Sequence, residues 1–225
     1  MEDVERVYSS NRYGLYAIPA GTLHRPAARL VSEGNVYEPD TIDFMRNNHR
    51  GMDIVHAGAF FGDFIPGLAS GVSAGSLIWS FEPTPENYTC AAETVRLNRL
   101  ENVILTNAAL SSEPGELSMR VKRDDGISAG GTSHIVDEAA DGDRIVRVPA
   151  VRIDDVIPET RGVGILQLDL EGHELAALRG AARTIAKWRP ILIIENQFES
   201  EWLRSVTNIE YRYVGRLHEN GIFAS

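Results

Sequence analysis

The sequence predicts an α/β protein built on a doubly wound, mostly parallel sheet. Apolar runs of strand length alternate with helix-like segments along most of the 225 residues, the pattern of successive β-α-β units. Four of those runs end at polar groups, namely His56, Glu82, Asp169 and the pair Glu195-Asn196. Ligands of such sheets sit outside the carboxyl ends of the strands, so four polar exits along one edge point to a site there. The stretch Met52 to Glu82 adds a strand, a glycine turn, a helix, a second strand and a terminal acid, which is the layout of a half-site for an adenosine-containing cofactor.

The elements follow in order. Residues 1–35 show little periodicity, and Tyr8, Tyr13, Leu15, Tyr16, Ile18 and Leu23 suggest short extended pieces or an irregular cap. The chain is therefore read as an N-terminal extension, 1–35, on one domain, 36–225. Ile42, Phe44 and Met45 recur at near-helical spacing between Pro39 and Asn48, which predicts a short helix. Met52 to Val55 is the first core strand and Leu77 to Phe81 the second, stopped by Pro83. Pro85 and Glu86 open a helix to about Arg99, since proline suits a first helical turn and an acid suits the positive end of the helix dipole. Val103 to Thr106 is the third strand, and Leu117 to Val121 and Ile145 to Ala150 are two more. Between those two lies Lys122 to Arg144, rich in Asp, Gly and Ser, which reads as a mobile loop. Ser128 and His134 in that loop are candidate contacts to a substrate.

Val163 to Asp169 is an apolar strand, His173 to Trp188 a helix, and Pro190 to Glu195 a buried strand. Phe198 to Val206 reads as a helix. Tyr211 to Leu217 and Ile222 to Ala224 flank Glu219-Asn220-Gly221, a turn sequence that predicts a C-terminal antiparallel hairpin. No internal repeat is visible.

Bulk composition excludes several classes. A hydrophobic content of 43% with 24% charged residues fits a soluble globular chain. A net charge of −10 argues against a nucleic-acid-binding surface. The single cysteine, Cys90, excludes an intrachain disulfide framework and a cysteine zinc cluster. No apolar run approaches the roughly 20 residues that span a bilayer, and the acidic start MEDVERVYSS is unlike a signal peptide. The expected location is cytoplasmic, with no membrane partner and no nucleic acid.

Two segments carry chemistry. In the turn Ala57-Gly58-Ala59-Phe60-Phe61-Gly62-Asp63, glycines let backbone N–H groups and a helix start face a ligand. Asp63 is either a first-turn acid that suits the helix dipole or a partner for a cofactor ammonium group. Glu82 lies about 20 residues further on, the distance of a ribose-binding acid; otherwise it is an exposed carboxylate at a strand end. The second segment is Leu166-Gln167-Leu168-Asp169-Leu170-Glu171-Gly172-His173-Glu174. Strand alternation would bury Leu168 and Leu170 and turn Asp169 and Glu171 to the other face. Glu174 is as readily a first-turn helix acid as a functional one. His173 titrates near neutrality and is either a surface histidine or a base.

Together these segments resemble the FkbM-type methyltransferases, a branch of the S-adenosylmethionine-dependent class I (Rossmann-like) fold. The resemblance rests on Tyr37-Glu38-Pro39, AGAFFGD (Ala57 to Asp63), FEPTPENY (Phe81 to Tyr88), Asn98, NAAL (Asn107 to Leu110), RIDDVI (Arg152 to Ile157) and LDLEGHELAALRGA (Leu168 to Ala181). It spans roughly residues 35–197. It implies S-adenosylmethionine seated over the glycine turn, contacting His56, Gly58, Ala59, Gly62, Asp63 and Asp169. Glu82 would then hold the ribose, with Asn107 and Ala108 beside the adenine. It also implies methyl transfer to a hydroxyl of a small acceptor, commonly a sugar or secondary metabolite. His56 stands where the family usually has an acid; a neutral imidazole still accepts one hydrogen bond, whereas an imidazolium would oppose the cofactor's charge.

The expected base is His173, with Asp169 or Glu171 orienting it or sharing the role. A magnesium-assisted variant would use Asp169 and Asn196, which exit adjacent strands, with Glu171 or Glu195. Two other readings compete: an NAD-dependent oxidoreductase on a similar sheet, and a non-catalytic cofactor-binding or scaffold protein that kept the fold. Tyr13, Tyr16, Phe60, Phe61 and Trp202 are aromatic candidates for an acceptor pocket.

Overall fold

The computed structural model describes residues 4–122, 125–136, 145–197 and 199–225. The chain opens with a hairpin, β1 (Arg6–Asn11) and β2 (Gly14–Pro19), followed by helix α1 (Pro26–Ser32). After α2 (Pro39–Asn48) come β3 (Asp53–Ala57), α3 (Ile65–Ala69), β4 (Ile78–Phe81), α4 (Pro85–Leu97) and β5 (Val103–Thr106). Four short strands follow: β6 (Ala109–Leu110), β7 (Gly115–Arg120), β8 (His134–Val136) and β9 (Ile145–Val151). The last section holds α5 (Ile153–Val156), β10 (Val163–Leu168), α6 (Glu174–Arg179), α7 (Ala182–Trp188), β11 (Ile191–Glu195), α8 (Glu201–Thr207), β12 (Arg212–Leu217) and β13 (Asn220–Ala224).

The main sheet has the order β12-β13-β11-β10-β3-β4-β5. The five strands from β11 to β5 are parallel, and β13 joins antiparallel to β11 and to β12. The chain winds outward from β3 to β5, then returns to β10 on the other side of β3. That reversal opens a crevice at the carboxyl ends of β3 and β10. Both faces of the sheet are covered, which is why its strands read as unbroken apolar runs. Val55, Phe81, Leu166, Leu168 and Ile194 pack against Leu178 of α6 and Ile185 of α7. Ile54, Ile78, Ile165 and Ile193 pack against Ile42 and Met45 of α2 and Leu68 of α3. Side-chain alternation continues that second face as His56, Ser80 and Gln167, brought side by side by the register His56↔Ser80 and Gln167↔His56. No helix among the described residues is long and apolar enough to cross a membrane.

Several elements differ from the sequence expectation, each for a local reason. The first strand runs two residues beyond Val55, because Ala57 still pairs with Phe81 and Leu168. The predicted helix His173 to Trp188 is two helices broken at Gly180. A Cβ there would strike the carbonyl oxygen of Ser111, and Asp154 starts the second piece by accepting the N–H groups of Arg183 (2.8 Å) and Thr184 (2.9 Å). The C-terminal turn lies at His218-Glu219, so Asn220 and Gly221 belong to β13. The predicted helix from Phe198 starts at Glu201, and Phe198 itself lies outside the described residues.

The largest difference concerns Lys122 to Arg144, expected as a mobile loop. Residues 123–124 and 137–144 lie outside the described residues. The rest is ordered by partners: β8 pairs with β7, and β7 with β9 and β6 with β9 complete a second, four-stranded sheet that the sequence did not predict. Gly130 sits tightly on Arg25, Phe60 and Thr22.

Candidate active site

The crevice at the sheet's carboxyl edge is a cleft of about 180 Å3, open to solvent. Its floor begins with the turn after β3. Gly58 takes a positive φ of 89°, and a side chain there would strike the backbone carbonyl of Asp169. The glycine is thus required by the neighbouring strand exit, not only by a ligand. The N–H groups of Gly58 and Ala59 donate to Phe81 O at 3.1 and 3.0 Å. Phe60, forced to φ 49°, donates its N–H to Glu82 Oε2 at 2.8 Å. The N–H of Thr84 reaches Glu82 Oε1 at 2.9 Å, with Asn87 Nδ2 at 3.4 Å.

Glu82 is therefore fixed by one short bond on each oxygen, and Oε2, with a single donor, keeps a further lone pair for a ligand. Burial still pushes its pKa up to about 7, since the few neighbouring N–H dipoles do not replace water. Asn107 does not line the cleft; its Nδ2 donates to the carbonyls of Glu82 and Pro83 (2.8 and 3.1 Å) and so braces the loop carrying the acid. Ala59, Gly62 and Ala108 also stand outside the lining. Gly62, with φ 86°, packs against Ala91 and Thr94 of α4.

One wall carries polar groups of the sheet. His56 is buried, lies 3.4 Å from Ser80 Oγ through Nδ1, and stacks on Phe64 at 5.4 Å. Burial lowers its pKa to about 4, so the ring is neutral near pH 7 and does not oppose a cation. Asp63, buried beside it in the lining, has its pKa raised to about 7 by burial. Glu38 lines the same wall and accepts from Thr41 Oγ1 at 3.0 Å.

At the exit of β10 the chain departs from strand alternation. Leu168 ends the strand and Glu171 adopts φ 52°, so Leu170, Glu171 and Asp169 all line the cleft. Glu174 holds this turn by accepting the N–H groups of Leu170 (3.0 Å) and Gly172 (3.2 Å) through Oε1. Burial together with the nearby charge of Glu195 holds Asp169 well above the usual carboxylate range. Burial and Glu195 also push Glu171 up to about 7. Oxygens of Asp169, Glu171 and Glu195 lie within 4.8 Å of one another. Asn196, expected to join them in a metal set, is exposed with φ 51°, lies outside the lining, and donates its N–H to Glu219 O. The acidic corner is completed by Glu171 in its place.

His173 is half-buried in the lining, and its Nε2 lies 3.4 Å from Ser111 Oγ. Burial lowers its pKa, leaving a neutral imidazole able to accept a proton. Its described hydrogen bond goes to Ser111 and not to Asp169 or Glu171. The opposite wall is apolar and comes from the small sheet: Leu110, Met119 and Ile135. Arg25–Ala27 and the Gly130-Gly131-Ser133 stretch close the rim. Of the aromatic candidates only Phe60 lines the cleft; Tyr16 and Phe61 are core residues. Ser128 and His134 do not line it.

The methyltransferase FkbM domain model matches residues 56–213. The chain belongs to the FkbM methyltransferase family. An FkbM methyltransferase structure from Methylobacillus flagellatus KT superposes with a TM-score of 0.52 at 17% identity, covering 77% of this chain and 43% of that one. The tRNA (uracil-54, C5)-methyltransferase of Pyrococcus abyssi, solved with S-adenosyl-L-homocysteine, has a TM-score of 0.50 at 12% identity over 98% of this chain and 44% of its own. This chain thus spans less than half the length of either structure. At these identities the likeness shows the fold, that of class I S-adenosylmethionine-dependent methyltransferases. No curated protein sequence matches.

The residues of this FkbM domain fit the family's cofactor. S-Adenosylmethionine carries a sulfonium and an ammonium, and among the described residues six carboxyl groups line the cleft against one arginine, Arg25. Glu82 Oε2 keeps a lone pair for a ribose hydroxyl. Sequence reasoning missed Thr84, Asn87, Ser111, Gln167 and the small-sheet wall. The first two were visible as small polar residues just after Glu82; the others are brought in by the topology and leave no local signal.

Proposed function

We propose that the protein transfers the methyl group of S-adenosylmethionine to a hydroxyl of a small acceptor, a sugar or a secondary metabolite. The single observation that carries this is Glu82, a buried carboxylate locked by the N–H groups of Phe60 and Thr84 at the strand exit where a ribose diol would bind. Asp63 and Asp169 would take the cofactor's ammonium, and the Pro83, Leu110 and Gly130-Gly131 surface would enclose its base. Residues 1–35 act as a cap whose Arg25–Ala27 stretch closes the rim. The bound cofactor supplies a sulfonium methyl group, transferred as the acceptor oxygen bonds to its carbon and the electron pair stays on sulfur.

This chain must align that oxygen, exclude water and remove its proton. His173, neutral and half-buried, accepts the proton at an imidazole nitrogen, with Ser111 fixing the ring. The acidic wall favours a cationic ligand over the neutral product, which helps release after transfer. Titration with S-adenosylhomocysteine and with NADH separates the readings. Saturable binding of S-adenosylhomocysteine alone, with radiolabelled methyl transfer to polyhydroxylated acceptors, is the expected result. Binding of NADH alone would replace this reading with a redox one.

A further inference from the structure

Helix α4 carries two threonines that behave differently. Thr89 Oγ1 donates back to Pro85 O at 2.7 Å within the helix, a common outlet for a hydroxyl on a helix. Thr94, fully buried, sends its hydroxyl to other elements. Its Oγ1 accepts the N–H of Ala17 in β2 at 3.1 Å and donates to the carbonyl of Phe61 at 3.1 Å. One hydroxyl thus joins the N-terminal hairpin, α4 and the turn after β3.

The spacing of hairpin and helix makes this contact regular. Leu15 and Ala17 lie two residues apart on β2, about 7 Å along a strand. Asn98 and Thr94 lie four residues apart along α4, about 6 Å. Asn98 takes both backbone groups of Leu15, accepting its N–H at Oδ1 (2.8 Å) and donating from Nδ2 to its carbonyl (2.6 Å). Only Thr94 of the pair continues into the site. Phe61 follows Phe60, whose N–H holds Glu82 Oε2 at 2.8 Å. Phe60 does so from φ 49°, a left-handed conformation that a bulky residue keeps only where its surroundings over-determine it. Those surroundings include the bond from Gly62 N–H to Ala59 O at 2.7 Å, the contact of the Phe60 and Phe61 rings at 4.8 Å, and the Thr94 bond to Phe61 O.

We propose that Thr94 is a positioning residue of the cofactor site. Through the Phe61 carbonyl it holds the turn whose Phe60 N–H aims Glu82, and it ties that aim to the seating of the N-terminal hairpin. Its role rests on the methyltransferase reading, which places the cofactor's ribose at Glu82. Without the hydroxyl, Phe61 O loses that donor and the turn is free to swing the Phe60 N–H away from the acid.

The test is a double-mutant cycle read by calorimetric titration with S-adenosylhomocysteine. Thr94→Val keeps the shape, removes the hydroxyl and should weaken binding about tenfold. Thr94→Ser keeps the hydroxyl and should stay within about threefold of the parent. In the Glu82→Gln background Thr94→Val should cost less than about twofold, since the group it aims is already altered. Asn98→Ala loosens the hairpin at the neighbouring clasp without touching the turn, and should change affinity less than about twofold. Unchanged affinity in Thr94→Val overturns the proposal, and so does a loss that adds in full to that of Glu82→Gln. An Asn98→Ala loss as large as that of Thr94→Val also overturns it, because any loosening of the hairpin would then have the same effect. Amide exchange on the parent chain needs no variant to fold. S-Adenosylhomocysteine should slow exchange at Ala17 at least about threefold more than at Leu15, and equal slowing at the two amides overturns the proposal. A parent chain that does not bind S-adenosylhomocysteine removes the functional reading itself; one that binds it, with Thr94→Val unchanged, removes this inference alone.

Discussion

At the amino end of β3, Asp53 is 2% exposed and completely paired. Arg161 donates to both of its oxygens (2.8 and 2.5 Å), Trp79 Nε1 donates at 2.8 Å, and the N–H of Leu77 at 2.9 Å. At the carboxyl end of the same sheet, Asp63, Glu82, Asp169 and Glu195 line a cleft that offers few donors and one arginine. Burial raises the pKa of Asp63, Glu82 and Asp169. The two ends bury similar groups to different purposes. Where the chain supplies a matching cation and N–H donors, a buried carboxylate holds strands and loop together. Where it supplies acceptors without donors, the missing partner must arrive from outside, and the cost of the unpaired group is part of how binding is made selective.

That contrast can be broken at either end. The largest effect expected is on chemistry at the cleft: His173→Ala should lower turnover by about 10²–10⁴-fold, the usual contribution of a general base. S-Adenosylhomocysteine affinity should stay nearly constant. Radiolabelled methyl transfer and calorimetry on the same preparation check both halves, and unchanged turnover would eliminate His173 as the base. Next comes the structural end. Asp53→Ala leaves Arg161 and Trp79 without their shared acceptor and should cost about 3–5 kcal/mol of unfolding free energy, read from urea denaturation. The surviving folded protein should bind cofactor normally.

The smallest effect is a pH slope. Asp63, Glu82 and Glu171 have folded-state pKa values raised to about 7. The stability they contribute is full below their unfolded values and is lost as pH rises through 7. His56 acts with the opposite sign: its pKa is lowered to about 4, so its contribution is present above its unfolded value and lost as pH falls. Because the raised carboxyls, Asp169 among them, outnumber the two lowered imidazoles, His56 and His173, the unliganded protein should melt at lower temperature at pH 7.5 than at pH 5.5. A cationic ligand favours the ionised carboxyls, so S-adenosylmethionine should narrow that gap in thermal melts. A melting temperature that climbs over the same interval would contradict the picture of unpaired acids.

Much of the architecture was legible because its signals are local. Unbroken apolar runs bounded by Gly and Pro placed β3, β4, β5, β10 and β11, and Val103–Thr106 was read to the residue. The place of Glu82 at the strand exit was legible because strand, turn and strand fix its distance from Gly58. The small sheet was not legible: β6 and β8 are two and three residues long and exist through pairing with β9 and β7, partners distant in sequence. Nor was the break at Gly180, which answers to the distant carbonyl of Ser111. The acidic corner was half visible. Asp169 and Glu195 follow from strand exits and alternation put Glu171 on the face of Asp169, whereas the entry of Leu170 into the same lining, at a left-handed backbone turn, was not foreseen.

The most direct measurement is calorimetric binding of S-adenosylhomocysteine to the parent chain and to Glu82→Gln. If Glu82 holds a ribose hydroxyl, losing the charge should weaken binding by roughly 10- to 100-fold, the equivalent of about 1.5–3 kcal/mol for hydrogen bonds to a charged group. The urea midpoint should fall little or even rise. Equal affinity in the two proteins, with both folded, would contradict the placement of the cofactor at this sheet edge.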